Sequence, residues 1–292
     1  MNSEITRKAG EFLATHARLL ERRLAQVLGG DHEAAPGVLA ALAAHRNPDG
    51  GLGHALEPDV RAPESQPLAV DFGLEVVERL VEAAPSIREQ ARQFAAGLLP
   101  YLGSVASPGG GLRIVAPSAA AHPHAAHWGE CDFPPGLNPT GNIVARLRAL
   151  DLSSPWLDDA DSFCRTEVDR ALAADELDAH TALNVLTYLE SVQDPKLMAA
   201  FEARVPELTL FHLHPGAGYG LTPLDFVPGP ESPRARLFPR EAVEAHLDQL
   251  EKSQQADGGW PVAWAPPGPA AELEWRGVVT VHAITQLRAY DR

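Results

Sequence analysis

Residues 122–142 read HPHAAHWGECDFPPGLNPTGN, placing His122, His124 and His127 just ahead of Glu130, Cys131 and Asp132. Each of these residue types can ligate a transition metal, and H-x-H is a recurring ligand spacing. No complete zinc signature follows, and a proline stands between the first two histidines. The segment reads better as a loop on which His124, His127 and Trp128 make polar contacts or move protons. No cofactor is expected; a metal at His122, His124 and His127, or Cys131 acting as a nucleophile beside an imidazole, is the lesser alternative. A second stretch, LEPDVRAPESQ at 56–66, carries Glu57 and Asp59 on either side of Pro58. Two carboxyls in a partly apolar pocket can take separated pKa values and serve as acid and base. The simpler reading is a solvated acidic loop, or Asp59 held by Arg61. A third stretch, ELEWRG at 272–277, groups Glu274, Trp275 and Arg276, and Arg276 could equally pair with Glu274 or Glu57. The expected catalytic set is Glu57, Asp59, His124, His127 and Arg276.

Helices must carry these groups. Phe12, Leu13, Leu19, Leu20, Leu24 and Val27 recur at three- and four-residue steps and predict an amphipathic helix from about Ile5 to Leu28. The same periodicity predicts helices over roughly 35–45, 67–83, 87–102, 139–151, 155–173, 178–192, 195–210, 239–254 and 277–290. Pro67 and Pro139 fit first helical turns, with Ser65 and Asn138 as nearby caps. Alternating strand patterns are nearly absent; GLRIV at 111–115 would make at most a small hairpin. The fold class is therefore all-α. Long proline-rich connections at 49–66, 107–138, 214–238 and 257–276 interrupt the helices, and such loops usually carry function or structure of their own. No low-complexity linker divides the chain, so residues 1–292 read as one domain.

Each long connection opens on or beside a glycine motif: NPDGGL at 47–52, SPGGGL at 107–112, HPGAGY at 214–219 and QQADGGWP at 254–261. In the last copy a helix ends near Gln254, glycine takes the positive φ of the turn, and Trp260 covers it. This reads as a stapled helix terminus, architecture rather than chemistry. Gln254, Gly258 and Trp260 fit the Q-x-x-x-G-x-W repeat of squalene/hopene cyclases, and the D-G-G at 49–51 and 257–259 recurs in protein prenyltransferase β-subunits. The chain thus resembles a divergent single-domain member of the terpenoid cyclase/protein prenyltransferase superfamily, with Arg46 and Leu52 replacing Gln and Trp in the first copy. The resemblance implies an α/α toroid, concentric inner and outer helices around a central cavity, with 274–290 in the closing inner helix. Inner helices of a toroid begin at one rim, which Gln66, Asn138, Asp178, His180, Glu274 and Arg276 would share; all of these but the catalytic Arg276, together with Trp128 and Trp275, are the expected substrate contacts.

The superfamily's specialised chemistry does not carry over. The D-x-D-D acid of class II cyclases is absent, DDAD at 158–161 suiting a helix N-terminus instead. The D-x-C of the prenyltransferase zinc site is missing, Val279 stands where its histidine would be, and no D-D-x-x-D occurs. A net charge of -15 argues against nucleic acid as a partner. No run is long and apolar enough for membrane insertion. Two cysteines and no apolar leader suggest the cytoplasm. The expected function is a terpenoid cyclase-like enzyme using acid–base or electrostatic catalysis on a small, partly apolar substrate. An aromatic content of 6% fits a cation-guiding cyclase poorly, so different chemistry on the same fold is expected. The alternatives are a non-catalytic ligand-binding or protein-interaction module, and a carbohydrate-active α/α-barrel enzyme.

Overall fold

Apolar residues at helical spacing fold well over half of the chain into helices, and a computed structural model describes residues 3–292. The helices are α1 (Ser3–His16), α2 (Leu19–Leu28), α3 (Ala35–Ala43), α4 (Pro67–Ala83), α5 (Arg88–Ala96), α6 (Leu99–Val105) and α7 (Leu137–Ala149). There follow α8 (Pro155–Ala173), α9 (Ala179–Val192), α10 (Pro195–Arg204), α11 (Pro223–Phe226), α12 (Arg240–Lys252) and α13 (Pro269–Ala289). Among the described residues there is no strand, only isolated bridges such as Leu112 with Gly136, so the hairpin at 111–115 does not form. No helix among them is long and apolar enough to cross a membrane.

Several helix boundaries differ from the periodicity, each for a local reason. The helix expected over 5–28 breaks at Arg18, whose backbone is extended (φ -61, ψ 162). Its guanidinium donates to the carbonyls of Ala55 and Leu56, which draws it out of the helix line. The segment 87–102 divides around Gly97, where the backbone lies against Gly50. The helix expected to reach 210 ends at Arg204, where the chain tightens into a 3-10 turn over Val205–Glu207 and Pro206 has no N–H to continue the α-helical bonding. The closing helix starts earlier than expected, with Pro269 in its first turn. Gln66, not Ser65, stands at the start of α4, and Asn138 is extended (φ -89, ψ 116), so regular helix in α7 begins at Pro139.

The helices pack in a circuit. α13 lies on α2, α2 on α4, α4 on α7 and α7 on α9. The gap from α9 back to α13 is spanned by 223–237: Arg234 pairs with Glu190 of α9 at 2.6 Å, and the Leu224 carbonyl of α11 accepts from Gln286 of α13. The remaining helices back this circuit, α1 and α12 on α13, α3 on α2, α5 on α4, α8 on α7 and α10 on α9. One apolar core runs through it, from Phe12 and Leu24 through Leu74 and Tyr188 to Trp260 and Leu287.

All four glycine motifs adopt the same left-handed turn: φ is 89° at Gly50, 88° at Gly110, 92° at Gly218 and 92° at Gly258. Three of them rest on the backbone of a neighbouring helix or helix end. A Cβ on Gly50 would lie 2.7 Å from the Gly97 carbonyl oxygen, one on Gly110 2.5 Å from the Ala160 nitrogen, and one on Gly258 2.2 Å from the Lys8 oxygen. The side-chain staple is conserved in function but not in residue. Gln254 Nε2 donates to the carbonyls of Gly258 and of Ile5 on α1, both at 2.9 Å. Arg46 does the same in the first copy, to Gly50 at 3.0 Å and to Phe94 of α5 at 2.8 Å. In the second, Trp156 of α8 reaches back to the Gly110 carbonyl at 3.0 Å. The residue after each of two turns then docks on an inner helix, Leu112 on the Thr140 hydroxyl and Trp260 on that of Thr280. Trp260 itself is 1% exposed and caps α12 by donating to Leu250. Trp260→Ala should therefore cost about 3–5 kcal/mol and Gln254→Ala about 1–3 kcal/mol in chemical denaturation. An unchanged melting curve for both variants would refute the staple.

Candidate functional site

Two of the long loops are zipped together before they present any side chain. The Arg61 amide donates to the Pro123 carbonyl, the Ala125 amide to that of Asp59, and Val60 bridges His124. Gln66, 2% exposed, accepts from the Ala116 amide at 2.8 Å and so fixes the second loop to the start of α4. His124 turns both ring nitrogens to loop carbonyls, those of His122 at 2.7 Å and Gly129 at 2.9 Å. Beneath the loops a small apolar cluster of Val60, Ala62, Val115, Ala119 and Cys131 excludes water.

This scaffold buries Asp59 to 3% exposure and aims two indoles at it. Trp264 Nε1 donates to Oδ2 at 2.8 Å and Trp275 Nε1 to Oδ1 at 2.9 Å. His127 Nε2 lies 3.9 Å from Oδ2, an electrostatic neighbour rather than a hydrogen-bond partner, and half of its side chain stays open to solvent. The aromatic wall continues on both sides. Trp264 and Trp275 meet edge to face at 5.0 Å, Phe72 flanks Trp275 at 6.1 Å and Tyr219 flanks Trp264 at 6.3 Å. The Tyr219 hydroxyl is 2.9 Å from His180 Nε2, and His127 packs on Trp128 at 4.6 Å. Three of the five tryptophans thus stand here, and the other two, Trp156 and Trp260, are staples.

The carboxyls are perturbed as a pair. Burial, then the charge of Asp59, pushes Glu57 well above the usual carboxylate range against the amides of Asp59 and Val60 and the charge of Arg18. Burial raises Asp59 too, resisted by the Trp275 indole, by His127 and by the Trp264 indole. Burial lowers His127 in spite of Asp59, favouring a neutral imidazole. The arrangement offers an accessible proton carrier backed by a fixed carboxylate, with a second carboxyl held toward its neutral form. Glu57 meanwhile caps its own turn, accepting from the Asp59 amide at 3.0 Å.

The structure gathers Glu57, Asp59, His127, Trp128, Trp275 and, through Tyr219, His180 into one cluster. Others have different work. Asp59 is not held by Arg61, which pairs instead with both oxygens of Glu274 and ties the loop to α13. Arg276 belongs to the last staple: it bonds Asp257 at 2.7 Å and the Trp260 carbonyl, and lies 4.6 Å over Phe12. Asp178 caps α9 by accepting from His180 and Thr181, Asn138 stands at the kink of α7, and His124 and Gln66 hold loops. Among the described residues no group of three or more His, Cys, Asp or Glu is placed to hold a metal. His122 turns to Glu64 at 3.2 Å, away from His127 and its carboxylate. Cys131 is buried and its thiol is pushed up by burial and by Glu130, which does not suit a nucleophile.

Sequence reasoning missed a second polar cluster, on α4. Asp71, Glu75, Glu78 and Glu82 line one stripe of α4. Arg146 of α7 bonds Asp71 and Glu78, and Glu75 meets His282 of α13 at 3.3 Å. Burial would raise Glu75, but His282, Arg146 and Arg79 outweigh it and hold the carboxyl at about 2. Asp71, more buried than paired, rises to about 6. A cavity of about 110 Å3 lies between α2, α4 and α13, lined in part by Glu21, Phe72, Glu75, Arg79, Trp275 and His282. The i, i+4, i+7, i+11 spacing was the available signal, but a solvated helix face has the same pattern. Comparison with protein-family models finds no match for the chain, and comparison with curated proteins finds none.

Glu57 holds its proton more tightly folded than unfolded. Its stabilisation is whole below the unfolded carboxyl's value of about 4.3 and is lost as pH rises through the folded value. Glu57→Gln should therefore be more stable than the wild type in urea melts near pH 8, and the gain should vanish near pH 3. Equal midpoints at pH 8 would contradict the burial of an ionisable Glu57.

Proposed function

We propose that the chain is a small-molecule enzyme on a divergent α/α toroid of the terpenoid cyclase/protein prenyltransferase type, with proton transfer centred on His127. The circuit of packed helices, the repeated glycine turns and the junction of the last turn with α1 support the toroid. The reaction reading rests on one observation: a buried carboxylate fixed by two indole N–H groups beside a half-exposed imidazole, among aromatic rings. The indoles hold Asp59 in place without neutralising it, so it tunes His127 and stabilises the imidazolium when a proton arrives. Trp264, Trp275, Tyr219 and Phe72 supply faces for an apolar substrate. Two buried, unpaired cysteines favour a reducing compartment, and we read the protein as cytoplasmic.

A ligand-binding module is the second reading, favoured by the occupation of both Asp59 oxygens, which leaves His127 as the one freely exposed titrating group beside it. The two readings separate in a screen of small apolar compounds for tryptophan quenching, followed by product analysis. For an enzyme, His127→Ala should cut turnover by about 10^2- to 10^4-fold while binding changes little. Asp59→Asn should lower the His127 pKa further in an NMR titration, since it removes the charge that supports the imidazolium. Bound compounds that are never converted by the wild type would leave the module reading standing and remove the enzyme.

A further inference from the structure

Arg18, Arg61, Arg146, Arg234 and Arg276 each close on a carboxylate. Arg79 of α4 does not. Its hydrogen bond goes to the Thr285 hydroxyl of α13 at 3.2 Å, and Glu75 and Glu82 act on it only as charges at a distance. A guanidinium carries several N–H donors in a planar fork. Those that Arg79 leaves unbonded are not sealed in protein. They face the cavity of about 110 Å3 between α2, α4 and α13, whose wall Arg79 helps to form.

Glu75, one turn earlier on α4, lines the same cavity. Its Oε1 meets His282 at 3.3 Å, but Oε2 has Arg146 only at 4.0 Å, beyond hydrogen-bond reach. An accepting oxygen and a set of donors thus stand side by side on one wall, opposite in charge and not bonded to each other. Their charges balance, so the pair needs no net charge from a ligand; it needs a donor for one member and an acceptor for the other. Glu21, also in the wall, is already closed on Arg18 at 2.6 Å. Most of the remaining lining is apolar, from Leu20, Leu24, Phe72, Val76, Trp275 and Val281. His282 lines the cavity with 47% of its side chain exposed, so that edge is reachable from solvent.

We propose that this cavity binds a small apolar primary amide, its carbonyl oxygen accepting from Arg79 and its NH2 group donating to Glu75, with the hydrocarbon body among Leu24, Phe72, Val76 and Trp275. A primary amide is neutral and sets an acceptor and a donor side by side on one planar group. A ketone leaves Glu75 without a donor, and a hydroxyl puts both roles on a single atom. A carboxylate meets Glu75 with like charge, and an ammonium meets Arg79 with like charge. An apolar cavity of roughly 150 Å3 takes benzene, so the body here is smaller, about four carbons. The site does not depend on the reaction proposed at His127. Trp275 belongs to both places, donating to Asp59 and lining the cavity, which makes its indole the natural reporter.

The test is an NMR titration of the whole chain with four probes of nearly one shape: isovaleramide, methyl isobutyl ketone, isovalerate and isoamyl alcohol. The readout is the Trp275 indole N–H signal, assigned by its loss in Trp275→Phe. Isovaleramide should bind about tenfold or more tighter than the other three, the scale of one added hydrogen bond to a charged group. This ranking is read on the wild type and needs no variant to fold. Glu75→Met should bring the amide to the level of the ketone, and Arg79→Met should weaken both, in chains whose melting curves stay cooperative. A ketone, alcohol or isovalerate that binds as tightly as the amide would overturn the amide. No movement of the Trp275 signal with any probe would overturn the cavity as a ligand site. His127→Ala should leave the titration unchanged; loss of binding there would put the probes beside Asp59 and overturn this site while keeping the other.

Discussion

The backbone of one helix occupies the space where the next helix's turn would carry a Cβ. That steric constraint organises the molecule. At Gly50, Gly110 and Gly258 a side chain would collide with backbone of α5's end, α8 and α1, and the positive φ excludes most other residues independently. Because the turn is so close to its neighbour, the side-chain donor that seals it reaches two carbonyls at once. Gln254 and Arg46 differ in charge and length, yet both span from the turn's own glycine carbonyl to a carbonyl of the adjoining helix. What matters is a donor of sufficient reach, with a buried path to both acceptors.

Each sealed turn releases the chain onto a long loop that begins from a fixed point, and that is why loops can hold a precise site. Asp59 is carried by irregular backbone, yet its position follows from contacts to a second loop, to Trp264 on the last loop and to Trp275 on α13. Glu274 and Arg61 add a partly buried ion pair across the same junction. Its contribution lies in geometry more than in stability, since a pair that remains partly solvated gains little free energy. The carboxylate is therefore held from several directions before any ligand arrives, which is the condition for preorganised electrostatics.

Much of the secondary structure was legible from periodicity alone. The range 155–173 coincides with α8, and 67–83 with α4, because proline opens both and apolar spacing runs unbroken. The break at Arg18 was not legible, since the carbonyls that attract it lie 37 and 38 residues away. Glu57 and Asp59 as paired carboxyls and His127 as a proton carrier were legible from residue type, but the contact between their two loops was not. The partner of Asp59 did not: a nearby arginine was the obvious choice, but tryptophans from the far end of the chain took its place. The stripe on α4 shows the deeper limit. Asp71, Glu75 and Glu78 have the spacing of a solvated face, and only the packing of α7 and α13 beside α4 covers that face.

The junction of the last turn with α1 bears on how the chain comes together during synthesis. Gln254 bonds Ile5 across 249 positions of sequence, and Gly258 rests on Lys8. Helix α1 must wait, with Phe12 uncovered on this side, until the segment carrying Gly259 and Arg276 has been made. Contacts of such separation carry a large loop-closure cost and slow the final step. Until that junction closes, α1 of the nascent chain is a surface in need of a chaperone.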